Sequence, residues 1–344
     1  MLPWEHTGNG ADRELMKYEK LVQDDSLQSR MWHKASLDIP GFRAIEENRS
    51  IIQFAQTGAN CAEWYSNVRQ DVARRIGTGY FPVFRFSDGE CYFCLGYRIP
   101  PPPPGKRTLP HYVRVVLSAY VKYRCHTTFW SGHPGYGHEI YRGSQWRALR
   151  RVFADLLQDI AGCGLIAANF ARHQGFESMD RYIPDIYDWF DQNGIRLDEK
   201  NYIPFYFVYA LLLGPDRHAF LRGRKILVIT HCSEEKEQQL RQYFEAEGCR
   251  GVNFIGISRS SAMTDQIELH AEHLGTDLVL IGAGVGAANI LNQVKPLQTL
   301  SIDAGYVLEC YANPSYKGTR VFTLPDEEIG GASEDLSLAA SASR

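Results

Sequence analysis

Two carboxylates two residues apart, Asp88 and Glu90 with Gly89 between them, stand directly after an aromatic, β-prone run, Tyr80-Phe81-Pro82-Val83-Phe84-Arg85-Phe86. Acids at the end of a strand can turn onto a single ion, and Gly89 permits backbone conformations that a side chain forbids. Hard cations such as Mg²⁺ and Mn²⁺ take carboxylate oxygens and keep positions for water and substrate phosphates. An Asp-Gly pair is equally the mark of an ordinary turn, so the spacing alone leaves both readings open.

A second candidate lies far downstream. Gly282-Ala283-Gly284-Val285-Gly286 follows an apolar run and opens a helical stretch, so its backbone N–H groups could take a phosphate. Asp303 stands at the end of the next apolar run, which imitates a dinucleotide fingerprint with its ribose-binding acid. The turn sits late in the sequence, whereas a dinucleotide fold expects further βα units after its first crossover. Glycines used only for tight helix packing are the other reading. Cys91 and Cys94 have metal-ligand spacing but no second Cys-x-x-Cys to complete a zinc site. Cys232 beside His231 lacks the further groups that nucleophilic catalysis needs.

Elements must bring these residues together. Trp64, Val68, Val72 and Ile76 recur at helical spacing over about 62–76. The strand that follows is expected to end at Ser87-Asp88-Gly89. In the second half, Lys225 to Thr230, Gly251 to Ile257, Asp277 to Ile281 and Thr299 to Ile302 read as strands. Between them, 234–247, 262–274 and 286–294 read as helices. Apolar strands alternating with helices of this length require parallel pairing through right-handed crossovers. The expected fold is therefore α/β and Rossmann-like, a mostly parallel sheet with helices on both faces. Three glycines and a proline mark 127–138 as an aromatic-rich loop, and five consecutive prolines, Pro100 to Pro104, must be extended. Residues 1–55 read as an N-terminal arm, 56–325 as the Rossmann-like domain and 326–344 as a Ser/Ala-rich disordered tail.

Composition excludes several classes. Charged residues make up 22% and the formal net charge is −3, with no long Lys/Arg run, so nucleic acid is not an expected partner. No apolar stretch reaches the length a membrane-spanning helix needs, and no secretory signal is apparent at the N-terminus. Eight cysteines in a chain of this size favour reduced thiols and a cytoplasmic setting. A homo-oligomer is left open.

Two separated patches together carry a resemblance. Val83-Phe84-Arg85-Phe86-Ser87-Asp88-Gly89-Glu90 resembles the Arg-Phe-Gly-Asp-Gly-Glu signature of bacterial GT-D type glycosyltransferases. Leu278 through Ala288, followed by Ser301-Ile302-Asp303-Ala304-Gly305-Tyr306, is similar to that family's late strand, small-residue turn, helix and Asp-Ile-Gly-His segment. The resemblance implies the GT-D fold and transfer of a sugar from a UDP-sugar to a hydroxyl acceptor, assisted by Mn²⁺ or Mg²⁺. It puts Asp88 and Glu90 on the metal. Arg85, Ser87, Asp88, Gly89, Gly282, Gly284 and Gly286 are the expected nucleotide-sugar contacts. Ser87 replaces the family's usual Gly, and Tyr306 stands where its His is usual. An inverting transfer needs a base, and the carboxylates flanking Tyr306 are Asp303 and Glu309. Asp303 is preferred because it ends an apolar strand, at the edge where parallel sheets place ligands. Two other functions remain open: a Rossmann enzyme using NAD or S-adenosylmethionine at Gly282 to Gly286, and a non-catalytic nucleotide-binding module.

Overall fold

The computed structural model describes residues 61–95, 140–168, 183–198, 200–214, 216–259 and 261–313, with short pieces at 52–53, 113, 116 and 128–130. Seven strands form one sheet: β1 (Phe81–Phe86), β2 (Leu165–Ala168), β3 (Tyr202–Pro204), β4 (Lys225–Thr230), β5 (Gly251–Gly256), β6 (Leu278–Gly282) and β7 (Leu300–Asp303). Their order is β3-β2-β1-β7-β6-β4-β5, and every neighbouring pair is parallel. Nine α-helices are described beside the sheet: α1 (Cys61–Arg74), α2 (Asp88–Leu95), α3 (Gly143–Cys163), α4 (Ile183–Gln192), α5 (Phe205–Leu213), α6 (Arg217–Leu221), α7 (Glu234–Ala246), α8 (Ala287–Gln293) and α9 (Tyr306–Ala312). The Rossmann-like expectation is met.

Period-two alternation sends each strand's side chains into two separate cores. One face carries Phe84, Phe86, Leu227, Ile229, Val279 and Ile281 against Phe93 of α2, Phe153 of α3, Phe190 of α4 and Ile290 of α8. The other carries Val83, Ile226, Val228, Leu278, Leu280 and Ile302 against Val72 of α1, Phe207 of α5, Leu240 of α7 and Leu308 of α9. Strands covered on both sides must be apolar throughout, which is why Leu278 to Ile281 form an unbroken buried run.

Three expectations are corrected. Residues 262–274 are not a helix: after a turn the chain runs irregularly to a short 3₁₀ turn, Ala271–His273. Side chains of α8 take over its backbone groups. Asn289 donates to the carbonyls of Ala262 and Asp265, and Gln293 donates to Asp265 O and accepts from Ile267 N. Those bonds satisfy the segment without an internal helical ladder. Within the expected aromatic loop, Thr128–Trp130 is a strand that pairs antiparallel with Ile140–Arg142. The strand expected to end at Ser87-Asp88-Gly89 ends at Phe86 instead, and Asp88 opens α2. The Pro100 to Pro104 run and the 326–344 tail lie outside the described residues. So does the N-terminal arm, apart from Ile52–Gln53, which pair in parallel with Leu197–Asp198.

Candidate functional site

β1 and β7 are neighbours at the middle of the sheet, and their carboxyl ends bring Arg85, Asp88, Glu90 and Asp303 into one buried group. Backbone register between the two strands runs to the pair Val83 and Ile302. Past that point side chains take over. The Asp303 carboxylate accepts from the backbone N–H of Arg85 at 3.2 Å, and Arg85 Nε donates to the Asp303 carbonyl at 2.7 Å. Arg85 Nη2 reaches Asp303 Oδ1 at 3.4 Å, and Nη1 donates to the hydroxyl of Tyr209 at 2.7 Å. The guanidinium also lies over the rings of Phe205 and Tyr209, 5.6 and 5.3 Å from their centroids. Gly305 has φ +44°, and a Cβ there would fall 1.6 Å from Arg85 Nη2, so glycine is required by this close approach.

Ser87-Asp88-Gly89-Glu90 builds the start of α2. Ser87 precedes the first helical residue, and Glu90 Oε2 reaches back to accept its N–H at 2.7 Å, one half of a capping box. Asp88 Oδ1 accepts from the Ser87 hydroxyl at 3.1 Å and from Gly89 N–H at 3.0 Å. Residues two apart do not face each other along a helix, but here both carboxylates turn to Ser87, Glu90 to its N–H and Asp88 to its hydroxyl. Among the described residues, no three His, Cys, Asp or Glu side chains gather closely enough to hold a metal ion by themselves. The donor chemistry still fits a hard cation. Mg²⁺-type ions bind through one or two carboxylates and draw their remaining ligands from water and phosphate. Asp88 and Glu90 are the residues that would hold it.

Burial dominates the electrostatics of this group. Asp88, Glu90 and Asp303 are 6%, 6% and 2% exposed, with one guanidinium, Arg85, among them. Burial, reinforced by Asp303 and Asp88, pushes Glu90 up to about 8, against the hydrogen bond from Ser87 that pulls it down. Burial also raises Asp303, while Arg85 and the N–H of Gly305 draw it back. Burial would lower Arg85, but the neighbouring Tyr209, Asp303 and Glu90 outweigh it and hold the guanidinium charged. Tyr209 is raised to about 12 by burial and keeps its proton.

The expected residues separate into groups. α2 packs against the Gly284–Gly286 turn, so the acids and the glycine segment share the carboxyl edge of the sheet. A Cβ at Gly282 would meet Thr230 Oγ1 at 2.8 Å and Leu308 Cδ1 at 2.9 Å. At Gly286 it would meet the Ala262 Cβ at 2.4 Å and the Ala262 carbonyl carbon at 2.6 Å. Packing against backbone demands Gly286, whereas Gly282 faces side-chain ends; Gly284, with φ +53°, is the exposed one. Arg85 is buried and engaged along its whole guanidinium, and Asp303 is covered by Arg85 and Gly305. Glu309 lies elsewhere: on α9 its carboxylate pairs with Lys236 of α7 at 2.5 Å, beside a small surface pocket that also involves Ser233 and Asn313. Tyr209 and Phe205 escaped the sequence reading. Their only signal was a pair of tyrosines, Tyr206 and Tyr209, within the apolar run Phe205 to Leu213. No helix among the described residues is long and apolar enough to cross a membrane. No protein-family model, curated protein or solved structure matches the chain.

Proposed function

We propose that the chain is a metal-dependent glycosyltransferase that binds a UDP-sugar and Mn²⁺ or Mg²⁺ at the carboxyl end of β1 and transfers the sugar to a hydroxyl acceptor. One observation carries the reading. Two buried carboxylates, Asp303 and Glu90, act on the one guanidinium of Arg85, and Asp88 acts on Glu90, so the acids outnumber the cation and burial among them pushes Glu90 up to about 8. A divalent cation is the natural replacement for the proton that Glu90 then holds. Once bound it would supply charge neutralisation for a departing diphosphate. Asp88 and Glu90 hold the cation in this reading. Arg85 and Asp303 fix the strand ends beneath them, and α2 with the Gly284 turn borders the nucleotide. The seven-residue length of α8 and the late place of the turn in the chain weigh against NAD or S-adenosylmethionine there.

Thermal shift with UDP, NAD and S-adenosylmethionine, each with and without Mn²⁺, tests the assignment, because selective ligands stabilise the native state. The expected result is stabilisation by UDP that depends on Mn²⁺ and disappears in Asp88→Asn. Stabilisation by NAD or S-adenosylmethionine alone would overturn it, as would UDP binding unaffected by metal and by Asp88→Asn.

A further inference from the structure

α5 packs on the sheet face opposite α2, yet one of its side chains reaches the acid group. Tyr209 is 3% exposed, and its hydroxyl accepts from Arg85 Nη1 at 2.7 Å. The guanidinium is thus held in three directions: Nη1 by Tyr209, Nε by the Asp303 carbonyl and Nη2 by the Asp303 carboxylate. Aromatic faces cover it, and the missing side chain of Gly305 leaves the space that Nη2 fills. A planar fork bound this way has one orientation available, which a lysine could not reproduce.

This arrangement reaches the acids through the backbone. Asp303 Oδ2 accepts from the Arg85 N–H where the β1–β7 register has ended. Holding the guanidinium on Asp303 therefore holds the end of β1, and Ser87 to Glu90 leave that end directly. We propose that Tyr209 is a positioning residue for Asp88 and Glu90: it locks the Arg85 fork, which through Asp303 sets the strand end from which both acids project. The proposal rests on the metal and nucleotide reading given above.

Tyr209→Phe removes one oxygen and keeps the ring. Gly305→Ala drives a methyl group toward Nη2 from the other side and gives a second route should the first variant not fold. Two measurements on the full chain decide. The Arg85 ¹⁵Nε–¹Hε resonance reports whether the fork is held, and calorimetry with Mn²⁺, alone and with UDP, reports whether the acids are placed. Both variants are expected to shift the Arg85 resonance and to weaken Mn²⁺ binding by at least about tenfold, the size of one lost charge-assisted hydrogen bond. A purely structural tyrosine would lower the melting temperature and leave the affinity of the folded variant at the wild-type value. That result overturns the proposal and leaves the metal reading standing. An Arg85 resonance unmoved in either variant also overturns it. Failure of the wild-type chain to bind Mn²⁺ in the presence of UDP removes the metal reading itself and the proposal with it.

Discussion

Glu90→Gln is expected to make the metal-free protein more stable above neutral pH, although it removes a charged residue from the candidate site. Glu90 is 6% exposed, and burial together with Asp303 and Asp88 raises it from an ordinary value of 4.5 to about 8. Between these values the native chain holds a proton that the unfolded chain has released. Raising the pH through that window therefore favours unfolding, and the loss levels off above about pH 8. At about 1.4 kcal/mol for each tenfold change in proton affinity, the loss is on the order of 4 kcal/mol. For a domain this size that corresponds to roughly 10 °C in melting temperature. Glutamine stays neutral throughout, and its Oε1 can still accept the Ser87 N–H. Thermal unfolding from about pH 5 to about pH 8, with a chelator present, should show the wild type falling away from Glu90→Gln as pH rises. Asp303 is coupled to Glu90, so the difference reports Glu90 together with its effect on Asp303. A gap that stays constant across the range refutes the reasoning, because Glu90 would then ionise in place without penalty.

Three further outcomes follow from the packing. Asp303→Asn removes the carboxylate charge that pairs directly with the buried Arg85 guanidinium and should cost on the order of 3 kcal/mol in urea unfolding; a loss below about 1 kcal/mol would show that Glu90 suffices to balance Arg85. Gly286→Ala puts a methyl group within 2.4 Å of the Ala262 Cβ, and over-packing of this kind typically costs about 1–3 kcal/mol. An unchanged melting temperature would mean that the 262–263 segment yields easily. Asn289→Ala removes both amide bonds to the Ala262 and Asp265 carbonyls, so hydrogen exchange across 262–267 should accelerate by at least about tenfold while β6 stays protected; equal rates would assign the order of that segment to other contacts.

What could be read in the sequence depended on whether its signal was local. Strands β4 and β6 announce themselves because a strand covered on both faces carries an unbroken apolar run, as Ile226 to Ile229 and Leu278 to Ile281 do. β2 and β3, four and three residues long, are too short for periodicity to separate strand from helix. Residues 262–274 carry an ordinary helical composition, but Asn289 and Gln293, far away in sequence, give their backbone another partner. The site divides in the same way. Asp88, Glu90 and Asp303 were recognisable as candidates by type and position. Ser87-x-x-Glu90 is also a capping pattern, which attention to the two acids alone passes over. The bonds that engage Arg85 join residues 218 and 124 positions apart, and no local pattern reports such a pairing.

The strand order has a consequence for how the molecule comes into being. β1, β2 and β3 form one side of the sheet and β4 to β7 the other, so each half assembles from elements close together in the chain. Within the sheet they meet at the β1–β7 seam, whose closure joins segments more than two hundred positions apart, the slow kind of contact in a folding chain. Arg85 and Asp303 sit on that seam from opposite sides. During synthesis the first half waits with the open flank of β1 exposed until β7 emerges, and the acid group forms with the last strand of the sheet to arrive. Cutting the chain between β3 and β4 should yield two fragments that regain the acid group only by docking edge to edge along that seam.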